Sequence, residues 1–291
     1  MNKTGSLELS IIIVSYNSRK YLKECLDSII KYLPADNKKY EIIVVDNASS
    51  DGSPQMVKKK YPGVRLFLNS RNTGFAAANN IAIKESDSEY ILLINSDCEV
   101  YRNSVETLVS FMDENRQAGI AGPGIVNSDG SLQLSCRRFP SFLDAAMHSI
   151  LSGIAPDNPF SKRYKLAEIK RDRAFDVDWI SGSCMIIRRS ALQDTGLMDE
   201  KYFMYVEDID LCYQMWKKNW KVFYQPHSRI LHHIGKSTKN GGSAAGIRMA
   251  RSVLYFFWKN YRKTFKIIFF PVILAVLAIR ILLTFIKNLL K

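Results

Sequence analysis

The sequence predicts an α/β fold: a mostly parallel, Rossmann-like sheet with helices on both faces. Short apolar β-branched runs such as Ile11-Ile12-Ile13-Val14 read as buried parallel strands. Helical patterns separate consecutive runs along the first half of the chain. The runs end in polar clusters, the place where open parallel sheets bind ligands.

Ile11–Val14 is the first strand, and Ser18 is positioned to cap a helix over Arg19–Tyr32. Tyr21, Leu22, Cys25, Ile29 and Tyr32 share one face of that helix. Glu41–Val45 is the second strand and ends at Asp46. Ser53-Pro54 opens the next helix, with Pro in the first turn, where its missing N–H costs nothing. Val64–Leu68 is the third strand, Phe75–Glu85 a helix, Tyr90–Asn95 the fourth strand, and Ser104 opens a helix to about Asn115. This β-α-β-α-β-α-β order implies right-handed crossovers. Asn127-Ser128-Asp129-Gly130 is a hairpin-type turn, residues 137–176 an irregular excursion, and Val177–Arg188 strand-like pieces around Ser181-Gly182. Residues 207–218 read as a helix and Val222–Tyr224 as a strand.

Composition narrows the function. Of 291 residues, 47% are hydrophobic and 24% charged, which excludes wholesale disorder. The net charge is +13, from 41 Lys+Arg and 28 Asp+Glu. No acid follows Asp210, and 15 of the 41 basic residues do, leaving 26 basic against 28 acidic residues before them. A nearly neutral body joined to a basic tail argues against a nucleic-acid partner, since coating charge would track the whole binding surface. Five scattered cysteines without a C-x-x-C pair read as free thiols in a reducing cytosol. The N-terminal apolar run is too short for a signal peptide. Neither a G-x-G-x-x-G after the first strand nor a G-x-x-x-x-G-K-[ST] is present, which counts against a nicotinamide dehydrogenase and a P-loop nucleotidase.

The strand ends are Ser15-Tyr16-Asn17, Asp46-Asn47-Ala48-Ser49-Ser50-Asp51-Gly52-Ser53 and Asn95-Ser96-Asp97. A single acid there is more often a cap, but a coordinated set suits hydroxyl or base-edge recognition and a hard divalent cation. Together with Asn69-Ser70-Arg71-Asn72-Thr73-Gly74-Phe75 and Phe203-Met204-Tyr205-Val206-Glu207-Asp208-Ile209-Asp210-Leu211, these segments resemble family 2 of the inverting glycosyltransferases, in its rhamnosyltransferase-like branch. The resemblance spans roughly residues 7–235 and implies a GT-A fold.

The resemblance implies a nucleoside-diphosphate sugar as donor. Asp46 is expected to read its base or ribose, with Ser15, Tyr16 and Asn17 lining the same pocket, and Asn72 and Ser96 are further donor-binding candidates. Arg71 is a candidate for donor phosphate and equally a solvated loop residue. Asp97, last of a D-x-D-type motif, is expected to hold Mg²⁺ or Mn²⁺ on the diphosphate, although Asn95 stands where the first acid belongs. His232 is favoured over His233 as a further ligand, and Lys236 could balance phosphate charge. Asp208 is assigned as general base, with Glu207 as orienter and second candidate; the helix N-terminus is expected to favour their charge. Trp179 is either a wall for a sugar ring or a core residue, and Gly182 lets backbone approach closely.

The expected organisation is a GT-A domain over 1–240 and a membrane-associating helical segment over 241–291. Ile267–Ile279 lacks charge, which is short for a span and suits an interfacial element on an anionic membrane surface. Lys266, Arg280 and Lys287 share one helical stripe. A single tilted span and a helical pair completing the core are the alternatives. The expected protein works at the cytoplasmic face of the membrane and transfers a sugar to a cell-surface glycan or lipid-linked acceptor. The competing reading is a non-catalytic scaffold of the same fold that binds glycan or partner proteins.

Overall fold

β1 (Leu9–Ser15), β2 (Tyr40–Asp46), β3 (Arg65–Leu68) and β4 (Tyr90–Asn95) form the parallel half of the sheet, in the order β3-β2-β1-β4. The computed structural model describes residues 7–33, 40–139, 158–233 and 242–289, without the side chains of 242–244 and 280–289. The expectations for Lys236 and for the side chains of Arg280 and Lys287 lie outside these residues.

β-branched alternation places Ile11 and Ile13 on one face of β1 and Ile12 on the other, all fully buried. Burial of each is worth about 1.5–3 kcal/mol. The first face is covered by α1 (Arg19–Tyr32), α2 (Ser53–Lys60) and α4 (Ser104–Glu114), through Leu22, Met56 and Leu108. The second is covered by α3 (Phe75–Lys84) and α7 (Glu207–Lys217), through Ala78 and Leu211. Two short helices, α5 (Pro159–Tyr164) and α6 (Arg189–Thr195), complete the body.

Beyond β4 the sheet becomes mixed. β11 (Cys184–Arg188) runs antiparallel between β4 and β6 (Ala118–Val126), and β12 (Lys221–His232) lies parallel to β6. β5 (Cys98–Val100) closes the edge against β12. Six of the eight strands on this path therefore point the same way. β7 (Leu132–Gln133) makes the expected hairpin with β6, and β9 (Phe175–Val177) adds to β12. β8 (Cys136–Arg137) pairs with β10 (Trp179–Ile180) as a separate ribbon.

Two elements differ from the sequence reading. β6 was not among the expected strands; its Gly119, Gly122, Pro123 and Gly124 are residue types depleted in strands. β12 is far longer than Val222–Tyr224 and carries His232 as its last residue, so that histidine sits on a strand and not in a loop.

The segment after residue 240 begins with α8 (Gly242–Tyr261), which packs on the body. Ser252 Oγ donates to the Met204 carbonyl (3.1 Å), and Tyr255 stacks edge-on against Tyr202 at 5.0 Å. Lys259 bridges Asp199 (2.7 Å) and Asp210 (2.6 Å). This part of the tail completes the core. The next part does not: a 3-10 turn (Phe265–Phe269) and α9 (Phe270–Leu289) leave Phe265 80% and Ile268 71% exposed. Among the described residues no helix is long and apolar enough to cross a membrane.

Candidate active site

β1, β2, β4, β6 and β12 all deliver their carboxyl ends to one edge of the sheet, and a cavity of about 380 Å³ opens there. Tyr16, Asn72, Ser96, Trp179, Glu207, Asp208 and His232 line it.

The first two strand ends are tied together by their own polar atoms. Asn17, in the left-handed region at φ +50°, donates its N–H to Ser49 Oγ (2.9 Å) and accepts from the Ser50 N–H at Oδ1 (2.8 Å). Ser18 does not cap α1. Asp51 takes that part, accepting from the Arg19 N–H (2.7 Å), while Ser18 Oγ donates to Ser96 Oγ (2.9 Å). Ser15 is buried below the cavity and shares this hydroxyl chain. Asp46 is buried; Oδ1 accepts from the Ser49 N–H (2.8 Å), and Oδ2 is enclosed without a hydrogen-bond partner. An orphaned buried carboxylate oxygen is an acceptor in want of a donor.

The turn after β3 is locked around Asn47, whose Oδ1 accepts from Asn69 Nδ2 (2.8 Å) and Thr73 Oγ1 (3.1 Å). Asn72 Oδ1 accepts from the Gly74 N–H (2.9 Å). Arg71 is exposed and does not line the cavity; the structure leaves it on the solvent side of this turn.

Asp97 and His232 come together across the β5–β12 edge, with Asp97 Oδ1 3.4 Å from His232 Nε2. His232 Nδ1 lies 3.0 Å from Gln133 Oε1. An amide oxygen only accepts, so Nδ1 donates to it, and in the neutral ring the Nε2 lone pair would face the carboxylate. Two acceptors facing each other fit a cation between them, and a carboxylate with a neutral imidazole suits Mn²⁺ or Mg²⁺. His233 is otherwise engaged, with Nε2 2.7 Å from Glu99 Oε1 and Nδ1 3.1 Å from Ser128 Oγ.

Glu207 and Asp208 open α7 behind two residues in the left-handed region, Tyr205 (φ +73°) and Val206 (φ +72°). Neither residue type prefers that conformation, and such strain concentrates at functional sites. Asp208 Oδ2 accepts from the Gly182 N–H (2.9 Å) and Oδ1 from the Ile209 N–H (2.8 Å). A Cβ on residue 182 would stand 3.3 Å from Asp208 Cβ, so glycine lets the loop close on the carboxylate. Burial pushes the proton affinity of both carboxyls up, and for Glu207 the charge of Asp208 adds to it. The expectation that the helix N-terminus would favour their charge is therefore reversed, because desolvation outweighs the dipole. Asp210, the third acid of the motif, is not at the cavity; it serves α8 through Lys259 and Asn260.

Trp179 is 7% exposed, and its Nε1 donates to the Arg138 carbonyl (3.1 Å). It is a core residue that also borders the cavity. Sequence reasoning missed Gln133, Arg137 and Met249 on the same wall. Met249 comes from α8, so the tail contributes to the site.

The model of glycosyl transferase family 2 matches residues 10–196. The chain belongs to glycosyl transferase family 2. It is a nucleotide-sugar-dependent glycosyltransferase of the rhamnosyltransferase-like branch. The N-acetylglucosaminyl-diphospho-decaprenol L-rhamnosyltransferase of Mycobacterium tuberculosis is 32% identical over 241 residues, covering 79% of this chain and 77% of that one. The rhamnosyltransferase WbbL of Escherichia coli is 30% identical over 246 residues, covering 81% of this chain and 87% of that one. Among solved structures, the mannosyltransferase PcManGT of Pyrobaculum calidifontis, in complex with GDP-Man and Mn²⁺, superposes with a TM-score of 0.61 at 20% identity. That match covers 95% of this chain and 74% of that one. GalNAc-T7 with UDP, GalNAc and Mn²⁺ also reaches 0.61, at 21% identity, over 91% of this chain and 50% of that one. These two likenesses bear on the fold, which is of the GT-A type.

Proposed function

We propose that this transferase moves L-rhamnose from a nucleoside diphosphate to a lipid-linked glycan acceptor at the cytoplasmic face of a membrane, with inversion at the anomeric carbon. The observation that carries the chemistry is the Glu207–Asp208 pair on the cavity wall, with Glu207 buried and the half-buried Asp208 held by two backbone N–H groups. The choice of sugar and acceptor rests on the names of the two rhamnosyltransferase relatives.

Asp46, Tyr16, Asn17, Asn72 and Ser96 hold the nucleoside end of the donor, Asp46 through the oxygen that lacks a partner. Asp97 and His232 would hold Mg²⁺ or Mn²⁺. That ion, when bound, neutralises charge on the departing nucleoside diphosphate. Trp179 borders the sugar. Asp208 takes the proton of the acceptor hydroxyl as its oxygen bonds to the anomeric carbon and the bond to the diphosphate oxygen breaks. Glu207 retains its proton beside Asp208, because its burial and the adjacent Asp208 charge disfavour its ionisation.

The test is incubation of the full chain with a panel of nucleotide sugars, Mg²⁺ or Mn²⁺, and membrane lipid extract, reading nucleoside diphosphate release. Asp208→Asn is expected to lower turnover about 10²- to 10⁴-fold while leaving nucleoside diphosphate binding intact. Full transfer by Asp208→Asn would overturn the assignment of the base.

A further inference from the structure

Arg137 is, among the described residues, the one Lys or Arg on the cavity wall. No carboxylate stands within ion-pair distance of it among those residues, whereas its neighbour Arg138 lies 4.0 Å from Asp178. Its guanidinium stacks over Trp179 at 5.1 Å and Tyr164 at 5.7 Å. One N–H is spent on the Leu134 carbonyl. A guanidinium carries five N–H donors in a plane, so one bond to a carbonyl leaves the others for a ligand. A half-buried cation that forms no ion pair among the described residues, set against two aromatic rings at the wall of a cavity, suits an anion with paired oxygens.

Its place in the fold selects which anion. Arg137 pairs in register with Trp179 on the β8–β10 ribbon. That ribbon leads directly into Gly182, whose N–H holds Asp208. The guanidinium charge also acts on Asp208, favouring its ionised form. The other candidate charged site pairs Asp97, in the turn between β4 and β5, with His232 at the end of β12, and neither residue is on the β8–β10 ribbon. The acceptor hydroxyl must approach the base, so the cation stands on the acceptor side.

We propose that Arg137 binds the phosphate of the acceptor and makes the enzyme selective for a sugar carried on a lipid diphosphate. This deepens the acceptor reading given above and rests on it. The guanidinium forms a bidentate contact with phosphate oxygens, which sets the attacking hydroxyl within reach of Asp208. No bond is made or broken at Arg137.

The experiment compares two acceptors with the full chain: a short-chain N-acetylglucosaminyl diphospho-lipid and the matching alkyl glycoside without phosphates. Arg137→Gln is expected to raise KM for the diphosphate acceptor about 10- to 100-fold, the range of a charged hydrogen bond, and to leave the donor KM unchanged. The preference over the neutral glycoside collapses with it, and Arg137→Lys recovers part of it. Direct titration of the diphospho-lipid into enzyme loaded with nucleoside diphosphate reads the same loss without turnover. A donor KM that rises in step with the acceptor KM would assign Arg137 to the donor and overturn the proposal. So would an unchanged acceptor Kd in Arg137→Gln, or a wild type that does not prefer the diphosphate acceptor. Nucleoside diphosphate binding by the wild type checks the transferase reading separately, since its failure would show even where acceptor titration succeeds.

Discussion

Glu207 and Asp208 are adjacent in the chain but differ in burial and in partners. Asp208 accepts two N–H bonds, while Glu207 Oε2 is buried without any. The anion therefore settles on Asp208 and the proton on Glu207. A carboxyl whose proton affinity is raised by folding contributes stability that is present at low pH and lost as pH rises. The unfolded chain ionises first, so unfolding releases protons, and stability falls from the ordinary carboxylate range upward. Glu207→Gln removes this penalty. It is expected to stabilise the fold at neutral pH, on the order of 1–3 kcal/mol, and to cut turnover. The Tm difference between variant and wild type should widen as pH rises; a gap that narrows would contradict the burial argument.

Glycines next to these carboxyls are set by close approach. Gly74 (φ +87°) receives the Phe203 carbonyl so tightly that a Cβ would stand 2.2 Å from its oxygen. Phe75 N–H donates to that same oxygen (2.8 Å), joining the turn after β3 to the loop before Glu207. Gly74→Ala should cost at least about 2 kcal/mol in denaturant unfolding and also lower kcat/KM. Gly130 (φ +81°), with nothing within 4 Å of an added Cβ, is the control. Its alanine variant should lose about 1–2 kcal/mol and no activity.

Among the elements, α8 has two faces. Its inner face is fastened by Lys259, between Asp199 and Asp210, with Tyr255 Oη also donating to Asp199 (2.9 Å). The Asp210 side chain is 3% exposed, so removing the cation strands a buried charge. Lys259→Met is expected to destabilise the fold by on the order of 3–5 kcal/mol. Hydrogen exchange should show the loss first in α8, because β1–β4 make none of these contacts. If α8 and β1 deprotected equally, the helix would be part of one cooperative core.

The four parallel strands and their helices were legible because burial on both faces writes itself as unbroken apolar runs. β6 was not, and the reason is specific. A Cβ on Gly122 would meet Ile180 Cδ1 at 2.5 Å, and one on Gly119 would meet Trp220 Cβ at 2.9 Å. The strand uses small residues because neighbouring side chains press onto its backbone, and small residues read as loop. At the site, strand-end acids such as Asp46 and Asp97 were visible as motif. Arg137 and Gln133 were not, since their importance comes from pairing with Trp179 and His232, distant in the chain. Asp210 misled in the other direction: it sits in the motif and serves the tail.

At the scale of the molecule, the acid-free tail divides into two regions with different duties. Ahead of Arg262, Lys259 is used internally, between Asp199 and Asp210, while Arg248 and Arg251 of the same helix are exposed. Beyond it, Arg262, Lys263 and Lys266 are exposed beside Phe265 and Ile268. Apolar side chains that exposed, rimmed by cations and without acids nearby, fit the headgroup region of an anionic bilayer. Because α8 also supplies Met249 to the cavity wall, such a contact would hold the site close to lipid-linked acceptor. Each basic residue near the surface is worth about 1 kcal/mol, so three give an affinity that salt should reduce strongly. The full chain is therefore expected to sediment with phosphatidylserine-containing vesicles, to leave them at high salt, and to bind phosphatidylcholine vesicles weakly. Phe265→Glu with Ile268→Glu should abolish vesicle binding while transfer to a water-soluble acceptor persists, since neither residue touches the cavity or its supports. Binding to both vesicle types alike, or retention by the double variant, would place the contact elsewhere on the chain.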